Sequence, residues 1–143
     1  MSMPILVPAA VLILWSIIVL IWAVVTRFAA VGDLSKLAKS PPGGRGVDLN
    51  GVLPNRVMWK AHNYDHLMEQ PTIFYPTVLI LAVLGHGSGI NVTLAWTYVG
   101  LRIVHSFWQA LVNTIPLRIM LFGLSSITLA WLAINALRAA LGA

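Results

Sequence analysis

Residues 56–85 read RVMWKAHNYDHLMEQPTIFYPTVLILAVLG, and the change of character along this stretch decides the fold. Its second half, PTVLILAVLG, is apolar, while its first half sets His62, Asp65, His66 and Glu69 into the same run. The next apolar run, about residues 92–112, carries Arg102 and His105 in the same way. A charge in hydrocarbon is costly, so such residues face other helices or a wet cavity and mark a functional site. On a helix advancing about 100° per residue, Arg56, Trp59, Lys60, His62, Asn63, Asp65, His66, Glu69 and Gln70 share one broad arc. Val57, Ala61, Tyr64, Met68 and Tyr75 occupy the other side, which is assigned to lipid or close packing. An arc this polar lines a subunit interface or a pocket rather than hydrocarbon.

The rest of the chain agrees with a membrane protein. Of 143 residues, 59% are hydrophobic and 9% charged, whereas about a quarter are charged in a soluble domain. This length allows one domain, residues 1–143. Without cysteine there is no disulfide, thiolate metal site or cysteine nucleophile. The net charge of +5 comes largely from one connector. In a membrane protein that pattern sets orientation, and it leaves no soluble basic face for nucleic acid.

Residues 1–26 contain no charged side chain, and roughly Ile5 to Val25 is long enough for one span. A signal peptide fits poorly, because a basic leading segment is missing and the apolar stretch is too long. The connector, about residues 27–55, holds SPPGGRG, LNG and LPN, which break regular structure, with a short helical turn expected near Leu34 to Ala38. The expected fold is all-α and integral to the membrane, a bundle of four transmembrane helices at about 5–26, 56–85, 92–112 and 116–141. Pro71 removes the amide bond to the Leu67 carbonyl and Pro76 the bond to Thr72, so a bend is expected there. Pro116 suits a first helical turn.

Arg27, Lys36, Lys39, Arg45, Arg56 and Lys60 flank the first connector against Asp33 and Asp48, and Arg118 lies beside the third. The second connector has no Lys or Arg. The positive-inside rule therefore puts the basic connector in the cytoplasm and both termini on the other side, with Arg138 the one dissenter.

On the third helix Tyr98, Arg102, His105 and Gln109 form one stripe, at spacings of four, three and four. Arg102 lies about 15 Å from the cytoplasmic end, a depth comparable to that of Glu69. The two are expected to meet, directly or through a ligand; a purely structural salt bridge is the competing reading. His62, His66 and Glu69 have the helical spacing of metal ligands. With four histidines in the chain, and His86 in the opposite connector, no metal site is expected. No Ser-His-Asp set, phosphate loop or dinucleotide fingerprint occurs. Ser125 and Ser126 have no evident base and are assigned to close helix packing.

The stretches NRVMWKAHNYDHLMEQPTIFYP (55–76) and GLRIVHSFWQALVNTIPLR (100–118) resemble the MAPEG family, the membrane-associated proteins of eicosanoid and glutathione metabolism, which include microsomal glutathione transferases. The Arg-x-x-His pair Arg102 and His105, Arg118 thirteen residues beyond the histidine, and the glutamate Glu69 carry the resemblance. It implies a homotrimer with glutathione as cosubstrate, bound between subunits near the cytoplasmic side. On this reading Arg118 is the catalytic arginine near the glutathione sulfur. Arg27, His66, Glu69, Arg102, His105 and Gln109 would line the glutathione site. Glutathione carries two carboxylates and one ammonium, to which several arginines and one glutamate are complementary. A neighbouring arginine raises the thiolate fraction of a thiol with an ordinary pKa near 8.5. A lipophilic electrophile would reach that nucleophile through the bilayer.

Four positions depart from the pattern. Asp65 and His66 stand where the family usually has Arg-Asn, Gln109 replaces a tyrosine, and Phe122 stands where many catalytic members carry tyrosine. Together they remove one positive charge and two hydroxyl groups. Two functions are therefore carried forward: a glutathione-dependent transferase or peroxidase acting on hydrophobic electrophiles, and a non-catalytic member that binds lipid or presents it to a partner.

Overall fold

The computed structural model describes residues 3–32 and 42–142. Asp33, Lys36, Lys39 and the helical turn expected near 34–38 lie outside the described residues. The chain is helical: α1 (Leu6–Val31), a short 3-10 turn (Gly46–Leu49), α2 (Asn55–Glu69), α3 (Pro71–Val83), α4 (Ile90–Leu111) and α5 (Ile115–Leu141).

Two expectations about boundaries are corrected. The first helix was expected to stop near residue 26, but α1 runs on to Val31 and closes at Gly32, whose φ of 64° suits glycine. The first charge does not end it because the Arg27 side chain turns to the connector, where Nη2 donates to the Gly46 carbonyl at 3.3 Å. The second helix, expected as one element with a bend, is broken in two at Gln70. Pro71 opens α3 in the first-turn position, where its missing N–H costs nothing. The Thr72 hydroxyl takes up the Glu69 carbonyl at the break. Pro76 stays inside α3.

The helices α4 and α5 form an antiparallel hairpin, with α1 lying along α2 and reaching α4. The turn of the hairpin holds Asn113 at φ 59°, the one positive φ outside glycine among the described residues. Asparagine tolerates that region better than other side chains. The core brings together Leu12 and Val19 of α1, Leu67 of α2, Phe74, Val78 and Leu81 of α3, Ala95, Tyr98 and Val99 of α4, and Leu132 of α5.

The outward faces are as apolar as the core. Ile13, Ile17, Ile21 and Val24 of α1 are exposed, as are Ile119, Ile127, Trp131 and Ile134 of α5. Contiguous apolar surface of this extent marks contact with a membrane or a partner. Two helices, α1 and α5, are long and apolar enough to cross a bilayer by themselves. At 15 and 13 residues, α2 and α3 are each too short alone. In α4 the inward stripe lowers the average hydropathy, because Asn91, Arg102, His105 and Gln109 are all buried.

The absence of cysteine makes these outer faces directly testable. In membranes opened on both sides, Ile17→Cys and Ile127→Cys will resist a charged maleimide and react after detergent is added. Val52→Cys, exposed after the 3-10 turn, will react in both conditions. Labelling of Ile17→Cys or Ile127→Cys in intact lipid would count against lipid contact.

Candidate functional site

The break between α2 and α3 determines where the polar residues go. Pro71 removes the donor to the Leu67 carbonyl, and the last turn of α2 carries the partial negative charge of a helix end. Arg102, 1% exposed, lies against it: its Nη2 donates to the His66 carbonyl at 2.8 Å. Its Nε and Nη1 are buried with no partner among the described residues.

Gln70 ties the break to the two helices behind it. Its Oε1 accepts from the Tyr98 hydroxyl at 3.2 Å and from Ser125 Oγ at 3.4 Å. Its Nε2 donates to Ser126 Oγ at 2.7 Å. Phe74 stacks on Tyr98 with centroids 4.4 Å apart. Ser125 and Ser126, assigned to close packing, therefore also carry hydrogen bonds between helices. A second node lies on the α1 side, where Ser106 Oγ accepts from Asn63 Nδ2 at 2.6 Å and from Trp15 Nε1 at 3.1 Å.

Above these nodes lies a cavity of about 170 Å³, lined by His66, His105, Arg118, Ile119 and Phe122. Three rings form its wall. His66 and His105 are 4.9 Å apart between centroids, and His66 and Phe122 are 5.4 Å apart. His66 Nδ1 is 2.8 Å from Glu69 Oε2. An ionised carboxylate only accepts, so Nδ1 donates there and Nε2 is left for the cavity. His105 Nε2 pairs with Gln109 Oε1 at 3.2 Å, and its Nδ1 is buried without a partner among the described residues. Arg118 Nη1 donates to Asn113 Oδ1 at 2.7 Å, so the strained turn residue also positions the cavity's cation.

Of the residues singled out in the sequence, His66, His105 and Arg118 meet in one cavity. Glu69 and Gln109 each reach it through a histidine, and Arg102 lies behind it. Arg27 is held at Gly46 instead. Glu69 and Arg102 make no direct ion pair: the one among the described residues is His66 with Glu69, whose side chain is 68% exposed. His62 turns to Asn50 Oδ1 at 2.8 Å, away from His66. No group of three or more His, Cys, Asp or Glu is placed to hold a metal among the described residues. Sequence reasoning placed Gln70 on the polar arc without giving it a role, and did not select Ile119, which carries no signal beyond following Arg118.

The sequence pattern of the MAPEG family matches residues 5–138. The chain belongs to the MAPEG family. It is thus a membrane protein of the group related to glutathione and eicosanoid metabolism. No curated protein and no solved structure matches it significantly. The cavity's lining residues present two imidazoles, a guanidinium, a phenyl ring and an isoleucine, with no hydroxyl among them.

The Gln70 node gives a stability prediction. Gln70→Leu keeps the volume but strips partners from Tyr98 and Ser126. It should destabilise the fold by about 1–2 kcal/mol, the range for hydrogen bonds between membrane helices. Thermal unfolding in detergent reads this as a lowered midpoint, and an unchanged midpoint would show the node to be dispensable.

Proposed function

We propose that this MAPEG protein is a glutathione-dependent transferase or peroxidase acting on hydrophobic electrophiles at the membrane. The observation that carries this reading is the cavity that unites His66, His105 and Arg118 beside an apolar outer face. Arg118 would stabilise the thiolate of glutathione, because an adjacent fixed cation favours the ionised sulfur. Arg102, with two unpartnered donors, and Glu69, exposed at the rim, would take the tripeptide's carboxylate and ammonium ends. Gln109 would hold His105 in register, and Arg27 would enter from the connector side. A thiolate held there attacks the electrophilic carbon of a conjugation substrate and displaces its leaving group. With a hydroperoxide it attacks oxygen, leaving an alcohol and a sulfenic acid that a second glutathione converts to the disulfide.

A four-span plan would fit the same reading: α2 and α3 together would give the length that each lacks alone, and α4 hides its polar stripe inside. A homotrimer would cover the exposed Asp65 and Glu69 edge of α2. The basic connector would face the cytoplasm with both termini opposite, following the charge asymmetry.

A second reading, a non-catalytic member that binds or presents lipid, is favoured by Phe122 in the cavity wall. It is also favoured by an apolar groove of about 270 Å³ between α1 and the α2–α3 segment, lined by Ile13, Ile17, Tyr64, Met68 and Tyr75 among others.

Glutathione binding, followed by thiolate absorbance on the purified protein, separates the two. The enzyme reading expects binding at millimolar glutathione or below and a thiolate signal that Arg118→Ala abolishes. Absence of binding by the wild type would leave the lipid binder standing; an unchanged signal in Arg118→Ala would remove only the role of that arginine. Phe122→Tyr tests the missing hydroxyl. One added hydrogen bond to a charged sulfur should raise the thiolate-to-thiol ratio by roughly 10-fold or more at fixed pH.

A further inference from the structure

At the far end of the bundle a second polar cavity, of about 180 Å³, is lined by His86, Asn91, Asn135, Arg138 and Ala139. We propose that it is a binding site for a phosphate group, supplied by the headgroup of an anionic phospholipid. It lies at the start of α4, whereas the His66–Arg118 cavity lies near that helix's end. Along α5, Arg118 and Arg138 are twenty residues apart, or about 30 Å, which matches the thickness of the hydrocarbon core. Arg138 therefore sits at headgroup depth on the opposite face.

The site is built rather than incidental. Asn91, 8% exposed, donates through Nδ2 to the His86 carbonyl at 2.9 Å and so fixes the α3–α4 turn. Its Oδ1 accepts from Asn135 Nδ2 at 2.7 Å, which fixes the end of α5 against that turn. The turn is also pinned from below, because a Cβ on Gly87 would come within 2.9 Å of Ile5 Cγ2.

Its charge is uncompensated. No aspartate or glutamate follows Glu69 in the sequence. The side chains of Arg138 and His86 make no hydrogen bond or ion pair with the described residues. The α4 N-terminus, beside the same turn, begins at Gly89 with no side-chain cap. Its first amides thus add the partial positive charge that binds phosphate at helix starts. Arginine presents a planar fork that fits a phosphate through two parallel hydrogen bonds. The adjoining surface suits acyl chains: Ile134, Leu137 and Leu141 lie along α5 and are exposed.

The test uses full-length protein released from bilayers containing equal phosphatidylglycerol and phosphatidylcholine, with retained lipid read by native mass spectrometry. Wild type should retain phosphatidylglycerol preferentially, and Arg138→Gln should lower that retention about 10-fold, the effect of losing a charged hydrogen bond. Arg138 is exposed, so this change does not threaten folding. Arg56→Gln removes the same charge from the exposed start of α2 and should leave retention unchanged. An excess of inorganic phosphate distinguishes the source. Thermal stabilisation of wild type by phosphate, absent in Arg138→Gln and without lipid preference, would assign the cavity to a soluble phosphate compound. Undiminished retention in Arg138→Gln, an equal loss in Arg56→Gln, or a wild type indifferent to both lipid and phosphate would overturn the site.

Discussion

The contact on which the arrangement depends is the Arg102 guanidinium against the carbonyl end of α2. Burying a cation among helices is unfavourable unless something negative meets it. Here the partner is not a side chain but the His66 carbonyl, in the last turn of α2 at the negative end of that helix. Arg102 in turn pins the backbone of His66, whose ring walls the cavity. Gln70, the single residue between the two helical pieces, is freed by the break there to reach Tyr98 and both serines.

This dependence explains which parts of the site could be read from the sequence. The stripe Tyr98, Arg102, His105 and Gln109 follows directly from 3.6-residue periodicity, and all four are buried together. The interruption at Pro71 follows from a missing N–H. The partner of Arg102 did not follow, because side-chain charges suggested Glu69 whereas a backbone carbonyl took the place. Helical periodicity assigns side chains to faces; it does not show which backbone carbonyl a buried guanidinium will reach. Arg27 failed for a related reason. Its position at the end of an apolar run suggested a helix end, but a long side chain that reaches Gly46 lets the helix continue for another turn.

The family assignment gives the setting, and the cavity gives the groups that this chain offers within it. Gln109 is occupied by His105, and a phenyl ring offers no donor. Under the proposed reading, electrostatic stabilisation of a thiolate would rest on Arg118, whose own hydrogen bond is accepted by a neutral amide.

That neutrality matters. Had residue 113 been aspartate, the guanidinium would be compensated within its own turn and its field on an incoming anion largely cancelled. Asparagine supplies the same geometry, and tolerates the same positive φ, without the charge. The same holds across the second half of the chain, where Arg102, Arg118 and Arg138 occur with no carboxylate side chain after Glu69. Each is held by a neutral acceptor or by none. Because the acids are confined to the first half of the sequence, Glu69 on α2 is the carboxylate that meets the cations of the Arg118 end. An anion proposed at the Arg138 end would meet a cation with no aspartate or glutamate following it in the chain.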